Sequence, residues 1–287
     1  MRIKFICEEA EIRLSEELKK HVSRKLYKNI KSSGAIIYVN GEPLEAYKFI
    51  KRGDEVYLDY EREKEISWPL YEASLDIRYE DDSYLVIFKP EGLLSIPTKA
   101  EPRSVYQEVL YYLASKGLEP TVSILNRLDK DTRGLMVIAK NRLAAYNLQP
   151  THEKMDRRYL CMLEGKLGAQ AGRIVNYIKK GDDGNKRIIT KEDDIAGKLA
   201  ISNYRVIKEY EDKSLVEFIL ETGRTHQIRV HFSHLNHPLL GDELYGGDKR
   251  LINRVALHSY RLEFIHPVTN EKITLVRELP FDMKKLM

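Results

Sequence analysis

The order of strand and helix patterns is the feature that most constrains how this chain can fold. Short apolar runs rich in β-branched and aromatic residues outnumber helical patterns and do not alternate strictly with them. Strict alternation is typical of doubly wound parallel sheets, so this order favours an α+β fold. We expect a mixed, mostly antiparallel central sheet with flanking helices. The clearest predicted strands are Tyr84–Phe88, Gly134–Ala139, Tyr159–Glu164, Leu215–Leu220 and Lys272–Val276.

Two further segments help to define this sheet. A helix is predicted from Ser104 to Ser115, because its apolar residues recur on one face. The polar, glycine-containing segment between Tyr177 and Lys191 is typical of a loop or hairpin tip. This segment carries the cations Lys179, Lys180, Lys186 and Arg187.

The chain of 287 residues is long enough for one large domain or two unequal ones. A charged stretch at 61–67 without strand or helix character indicates a linker. We therefore predict a small α/β domain at 1–62, a linker at 63–74 and a larger domain at 75–287.

The small N-terminal domain begins with a strongly basic run. From Arg13 to Lys31, which we expect to form two short helices, there are seven positive and two negative residues. The β-branched run Ala35–Gly41 ends in Asn-Gly and predicts a hairpin, and a second strand follows at Glu55–Leu58. Charge alone is equally compatible with a solvated helix face.

Composition excludes several classes of protein. No apolar run approaches the roughly 18 residues of a membrane span, and the N-terminus lacks the apolar core of a secretory signal. The two cysteines, Cys7 and Cys161, are far apart and lack a CxxC context, which argues against a disulfide framework. We expect a monomer in the reducing cytoplasm. The net charge of +4 says little about partners.

The densest cluster of charges lies at Leu125–Leu135, with two acids and three bases before the glycine that leads into an apolar strand. Basic neighbours favour the charged form of a carboxylate. Such a carboxylate suits a nucleophile or an electrostatic stabiliser. A charged turn between strands is the simpler interpretation of the same residues.

A second dense stretch lies at Glu221–Phe232. We predict a helix with Thr225 as its N-cap and a buried face of Ile228, Phe232 and Leu235. Arg229 would then lie at the border between core and cleft, where it could meet a carboxylate from another strand. The helix start could also bind phosphate.

Four histidines, at positions 226, 231, 234 and 237, raise the possibility of a metal site. Their spacing does not match HExxH or an HxH pair, and no nearby carboxylate completes a site before Asp242. We therefore expect no metal, and expect these histidines to pack or to contact RNA.

These stretches together resemble the RluA-type RNA pseudouridine synthases. The segment NRLDKDTRGLMVIAK is similar to the catalytic motif of that family, and ETGRTHQIRVHFSHLNHPLLGDELYGG to a second signature. Two weaker matches are VIFKPEGLLSIP and RRYLCMLEG. The resemblance extends from about Leu75 to Val276, with the motifs in the family's order. The N-terminal domain resembles an αL-type RNA-binding domain found in a small-subunit ribosomal protein and in RNA-modifying enzymes.

The resemblance implies a role for each matching residue. Asp129 corresponds to the essential catalytic aspartate, and Arg229 to the basic residue that pairs with it. Tyr159 resembles the tyrosine that stacks on the target base, and Arg127 the arginine that fills the space left by the flipped nucleotide. Leu240 falls where an aliphatic residue lines the base pocket.

Two positions depart from the family pattern. Asn126 stands where histidine is common, and Arg133 where serine is common. We expect both to flank the flipped base or its backbone and to affect substrate choice. Further RNA-binding residues are predicted beside the site and in the basic run, namely Arg224, His226, Lys19, Lys20, Arg24, Lys25 and Lys28.

The reaction implied by the resemblance is the isomerisation of uridine in ribosomal or transfer RNA. Because it involves no redox step, phosphate transfer or hydrolysis, it needs no cofactor. The nucleotide must leave the duplex to expose its anomeric face. Asp129 could attack the anomeric carbon, add to the pyrimidine ring or act as a base on the sugar. The competing hypotheses are a non-catalytic RNA-binding or ribosome-assembly protein on the same fold and a metal-dependent hydrolase built on the histidines.

The basic run yields a test of the N-terminal domain. If its cations contact phosphates, deletion of residues 1–62 should weaken RNA binding and flatten its salt dependence by close to one unit of slope per lost contact. Affinity measured at several salt concentrations for both chains checks this. An unchanged slope with lower thermal stability would indicate a packing role instead.

Overall fold

The computed structural model describes residues 2–22, 27–28, 30–31, 35–59, 69–118, 122–148, 155–182 and 184–287. The chain divides into two compact units, Met1–Ser67 and Trp68–Met287. The division falls within residues 60–68, which lie outside the described part together with much of the predicted linker.

The first unit combines a helix with two small sheets. Its strands are β1 (Arg2–Ile6), β2 (Glu11–Arg13), β3 (Ile37–Val39), β4 (Glu42–Pro43), β5 (Phe49–Lys51) and β6 (Glu55–Asp59), and its helix α1 is Leu14–His21. One sheet has the order β1-β6-β3-β4, and β2 pairs with β5. Leu14, Leu18, Val56 and Leu58 lie in a common apolar core, which explains why so short a helix is held in place.

The Asn-Gly turn of the predicted hairpin is present. Asn40 and Gly41 join β3 to β4 with φ angles of 52° and 87°. Positive φ at both central residues is what a two-residue type I′ hairpin requires. Of the second helix predicted in the basic run, residues 27–28 and 30–31 are helical, and residues 23–26 and 29 lie outside the described part.

The second unit is built on one large mixed sheet. Its strands are β7 (Ile77–Glu80), β8 (Tyr84–Lys89), β9 (Ser123–Ile124), β10 (Arg133–Ala139), β11 (Met155–Glu164), β12 (Ala171–Lys180), β13 (Arg187–Thr190), β14 (Lys198–Glu209), β15 (Lys213–Leu220), β16 (Leu257–Ile265) and β17 (Lys272–Val276). The order is β13-β12-β14-β15-β11-β16-β10-β8-β7, with β17 on β16 and β9 on β10. Only β10 and β16 pair in parallel among these named strands. The prediction of a mixed, mostly antiparallel sheet is confirmed.

Alternating side chains of the central strands fill two separate cores, one on each face of the sheet. On β10, Met136 and Ile138 point into one core, and Leu135 and Val137 point into the other. This is the two-residue period of a strand buried on both sides. An apolar run such as Leu135–Ala139 is therefore explained by its central position.

Helices cover both faces of this sheet. The elements are α2 (Val105–Ser115), α3 (Arg142–Asn147), α4 (Gln227–His234), a 3₁₀ helix (Glu243–Tyr245) and α5 (Phe281–Lys284). Helices α2 and α4 pack into the first core through Val109 and Phe232, and α3 packs into the second through Ala144. None of the helices in the described residues is long and apolar enough to cross a membrane.

Helix α4 begins differently from the prediction. Its N-cap is His226, in the left-handed conformation with φ 57°, rather than Thr225. Leu235, expected on the buried face, is 40% exposed just beyond the helix end. Ile228 and Phe232 are buried as expected. The left-handed conformation of His226 changes the direction of the chain just before α4, and this determines where the His226 ring lies.

The start of β10 generates a stability prediction. Gly134 has a φ of 133°, and a Cβ there would lie 2.3 Å from the Ser259 carbonyl oxygen on β16. Gly134→Ala should lower the free energy of unfolding in urea by at least about 2 kcal/mol, through backbone strain and overlap. Gly168→Ala is the matched control, since nothing lies within 4 Å of a Cβ there. It should stay within about 0.5 kcal/mol of the parent chain. Equal effects of the two changes would contradict this account.

Candidate active site

The loop between β9 and β10 carries Asp129, and residues on both sides of it are anchored. The Ser95 hydroxyl donates a hydrogen bond to the Leu128 carbonyl at 2.6 Å and accepts one from the Leu128 amide at 3.0 Å. On the other side, Lys89 Nζ donates to the Lys130 carbonyl at 3.0 Å. The backbone at Asp129 is thus held by its two neighbours.

Lys89 is a fully buried cation at the end of β8. Its ammonium group also donates to the carbonyls of Pro90 and Leu93, each at 2.7 Å. Burial lowers the pKa of Lys89 to about 8. Three carbonyl acceptors match the three donors of an ammonium group, so Lys89 ties two loops together through backbone oxygens.

Arg229 on α4 lies between two carboxylates. Its Nε and Nη2 donate to Asp242 at 2.7 and 2.6 Å, in the two-pronged geometry favoured by guanidinium and carboxylate groups. Its Nη1 lies 3.8 Å from Asp129 Oδ2. Arg229 and Asp242 are both buried, while the Asp129 side chain is 25% exposed. One edge of the guanidinium is therefore fixed in the protein, and another faces Asp129.

His226 is the second group near Asp129, with Nε2 4.0 Å from Asp129 Oδ2. Its Nδ1 lies 3.0 Å from the Tyr245 hydroxyl, which accepts a hydrogen bond from the Arg187 amide. Because that hydroxyl already accepts one bond, its proton can be given to Nδ1, which puts the ring proton on Nε2. Burial lowers the pKa of His226, so the ring is neutral at neutral pH.

Tyr159 on β11 forms the floor of the site. Its ring lies in the core against the sheet. Burial raises the pKa of Tyr159, so the phenol keeps its proton. A neutral aromatic face with a fixed tilt suits stacking against a planar base.

These groups converge on one small cleft. Apolar residues, cations and Asp129 line it together, namely Arg127, Leu128, Asp129, Thr132, Tyr159, Leu220, Arg224, His226, Gln227, Ile228, Arg229 and Leu257. The structure thus brings together Asp129, Arg229, Tyr159, Arg127, Arg224 and His226, which are six of the residues singled out from the sequence. Apolar walls with one carboxylate and convergent donors are typical of a small-molecule or base-binding cleft.

The loop before α4 is held by Gln227. Its side-chain oxygen accepts hydrogen bonds from Thr222 Oγ1 at 2.8 Å and from the Arg224 amide at 2.9 Å. At the cleft mouth, Arg127 Nη2 donates to Thr225 Oγ1 at 3.0 Å. This contact joins the loop of Asp129 to the loop of His226.

Two residues predicted to contact the base lie outside the lining of this cleft. Leu240 is buried in a different core with Met162 and Ala256, and is not among the cleft-lining residues. Asn126 is buried behind the cleft, where its amide bonds the Leu135 carbonyl and the Val137 amide.

The remaining residues predicted to affect RNA binding either lie in the first unit or contact another side chain of the protein. Lys20 forms ion pairs with Glu9 and Glu17, and Lys19 lies over the Tyr27 ring at 5.3 Å. Lys28 is described and helical, whereas Arg24 and Lys25 lie outside the described residues. Arg133 pairs with Glu91 and Asp282. No cluster that could hold a metal ion occurs among the described residues.

Comparison with known proteins decides the family. A model of the RNA pseudouridylate synthases matches residues 83–234, more than half of the chain. The chain is an RluA-type RNA pseudouridine synthase. An RNA pseudouridine synthase of Bacillus subtilis, YjbO, is 37% identical over 271 residues, covering 93% of this chain and 94% of the relative. Ribosomal large subunit pseudouridine synthase D of Vibrio parahaemolyticus is 36% identical over 265 residues, covering 86% and 80%.

Solved structures agree on the fold. Human RNA Pseudouridylate Synthase Domain Containing 4 superposes with a TM-score of 0.59 at 22% identity, covering 72% of this synthase and 90% of that chain. Human RNA Pseudouridylate Synthase Domain Containing 1 gives 0.57 at 24% identity, covering 72% and 84%. The fold and the class of enzyme predicted from the motifs are confirmed.

Sequence reasoning missed three residues that hold the site together. Asp242 was weighed only as a possible metal ligand, although it is the fully buried partner of Arg229. Tyr245 and Lys89 were each quoted within a motif without a role. A lysine or aspartate inside an otherwise apolar segment is the signal that could have found them, because charges are rarely buried without a partner.

The buried ion pair yields a prediction for Asp242→Asn. Removing one charge leaves the buried Arg229 with only the 3.8 Å contact to the partly exposed Asp129, so the free energy of unfolding should fall by about 3–5 kcal/mol. Urea denaturation of the synthase checks this. Asp212→Asn is the control, since Asp212 is 68% exposed in its ion pair with Lys213. Its effect should stay below about 1 kcal/mol. If Asp242→Asn also lowers the free energy of unfolding by less than about 1 kcal/mol, Arg229 must find another partner in that variant.

Proposed function

We propose that this synthase converts specific uridines of ribosomal RNA to pseudouridine, with Asp129 as the essential carboxylate acting on a flipped-out nucleotide. The relatives named ribosomal large subunit pseudouridine synthase D support ribosomal RNA as the substrate class. The observation that carries the proposal is that Asp129, Arg229 and Tyr159 line one cleft, with Arg229 Nη1 3.8 Å from Asp129 Oδ2.

The contacts of Asp129 support an essential role. Among the described residues its carboxylate makes only the two long contacts, to Arg229 at 3.8 Å and His226 at 4.0 Å. Neither is a short hydrogen bond, so an oxygen remains available to a substrate atom. The anchored neighbours Leu128 and Lys130 hold the backbone in place. The Asp129 carboxylate is therefore available to a substrate without lying on a mobile loop.

The reaction itself needs few groups. The bond from the anomeric carbon to ring nitrogen 1 breaks, the uracil turns, and a bond forms to carbon 5. Carbon 5 then loses its proton, and nitrogen 1 finishes with one. Tyr159 offers a stacking surface on which the uracil can turn, and the apolar walls Leu220 and Leu257 restrict water. Arg127 at the mouth is placed to occupy the gap left in the RNA.

The test of the proposal is Asp129→Asn, which keeps the size of the side chain and removes its charge. Pseudouridine formation should fall by at least about 10³-fold. A large-subunit ribosomal RNA transcript carrying tritium at uridine carbon 5 measures this, because isomerisation releases the label. The variant should keep the parent's melting temperature and still bind the transcript.

Asp131→Asn is the matched control, since Asp131 is an exposed acid in the same loop. It should retain most of the activity. If Asp129→Asn stays within tenfold of the parent, the catalytic assignment is wrong. Release of label from transfer RNA but not from ribosomal RNA would overturn the substrate class and leave Asp129 in place.

A further inference from the structure

A groove of unusual charge lies beside the cleft. We call it the basic groove, and define it by its lining residues Arg127, Ile178, Lys179, Lys180, Arg187, Ala196, Lys198, Gly223, Arg224 and Thr225. Six of these ten are cations, and no carboxylate is among them. The net charge of +4 for the whole chain gives no hint of such a concentration.

The hairpin of β12 and β13 places two of these cations directly opposite each other. Lys180 on β12 pairs in register with Arg187 on β13. On the next strand, Lys198 is in register with Ile178. Like charges at opposed positions of an antiparallel pair are destabilising. The hairpin therefore keeps an unfavourable arrangement that a bound polyanion would relieve.

Most of these cations lack an acidic partner within the described residues. Lys179 is the exception, with an ion pair to Asp194 at 2.7 Å. Arg127, Arg187 and Arg224 each donate to an uncharged oxygen, namely Thr225 Oγ1, the Lys186 carbonyl and the Leu199 carbonyl. Lys180 and Lys198 are exposed. Their charge remains available to a ligand.

The basic groove is continuous with the cleft. Arg127 and Arg224 line both. The Arg187 amide also donates to the Tyr245 hydroxyl, which contacts His226 beside Asp129. A strand whose nucleotide occupies the cleft must leave through its mouth, and the basic groove begins there.

We propose that the basic groove binds the phosphodiester backbone of the RNA strand next to the flipped uridine, with Lys180 and Lys198 as phosphate contacts. This inference rests on the proposed function, because it is the cleft that fixes where the strand lies. The lining of the basic groove has flexible cations and no aromatic ring on which a base could stack. Such a surface recognises the charge of the RNA backbone rather than the base sequence. The groove therefore contributes affinity and orientation, and leaves the choice of uridine to other contacts.

The experiment measures binding of the full chain to a fluorescein-labelled single-stranded uridine 20-mer by fluorescence anisotropy, between 50 and 200 mM salt. The double variant Lys180→Gln and Lys198→Gln should bind more weakly at 50 mM. Its slope of log affinity against log salt should be smaller by about 1.4, since each phosphate contact to a single strand contributes about 0.7. The first unit is unchanged in both chains, so its contribution cancels.

The control removes two charges elsewhere on the same unit. Lys166→Gln with Lys208→Gln changes exposed residues outside the groove, and Lys208 lies near the opposite end of β14 from Lys198. Its slope should match that of the parent chain. An equal change in both double variants, or none in either, would overturn the proposal. So would displacement of the 20-mer by polyglutamate at an equal concentration of charges, which would indicate an acidic protein partner.

The tritium-release assay separates this proposal from the proposed function. If the parent chain forms no pseudouridine but the slope falls as expected, the proposed function fails and the groove stands. If the parent is active and the slope does not fall, the groove fails and the proposed function stands.

Discussion

The buried ion pair between Arg229 and Asp242 is the interaction on which the geometry of the site depends. Two short hydrogen bonds fix the guanidinium on α4 and leave its Nη1 edge toward Asp129 at 3.8 Å. Taking a lone guanidinium out of water would be prohibitive, so the buried position of Arg229 depends on the carboxylate of Asp242. The Tyr245 ring, 5.1 Å from the guanidinium carbon, packs against the same group.

The site combines a rigid backbone with an unencumbered carboxylate. Ser95 and Lys89 hold the residues on either side of Asp129 through backbone atoms, so the position of the loop does not depend on side-chain contacts of Asp129. This arrangement resolves a conflict inherent in such sites. A carboxylate tied by several hydrogen bonds would be well placed but weakly reactive, whereas a free one on a mobile loop would be poorly placed.

The position of the charged residues in this synthase is more informative than the net charge. Surface acids and bases largely pair with one another, as Lys20 does with Glu9 and Glu17 in the first unit. The basic groove is different, because five of its six cations have no carboxylate partner among the residues described. For a partner as highly charged as RNA, such a local excess matters more than a net charge of +4.

The sequence by itself determined the fold class, the family and most of the cleft. Strand patterns such as Gly134–Ala139 were visible because a short apolar run with β-branched residues is a local property. Asp129, Tyr159 and Arg229 were found because their motifs keep the order of the family. The Asn-Gly turn predicted its own hairpin for the same local reason.

Tertiary structure alone decided which groups meet. Arg229 and Asp242 are thirteen residues apart, and the sequence does not show that the 3₁₀ helix and α4 turn them toward each other. The sequence also does not show that Leu240 packs into a core with Met162 and Ala256, or that Asn126 hydrogen-bonds to the backbone of β10. The basic groove joins β12, β13, β14 and three loops, and the cations of its strands become neighbours only through strand pairing. Local pattern determines elements, whereas contacts between distant residues depend on how those elements pack.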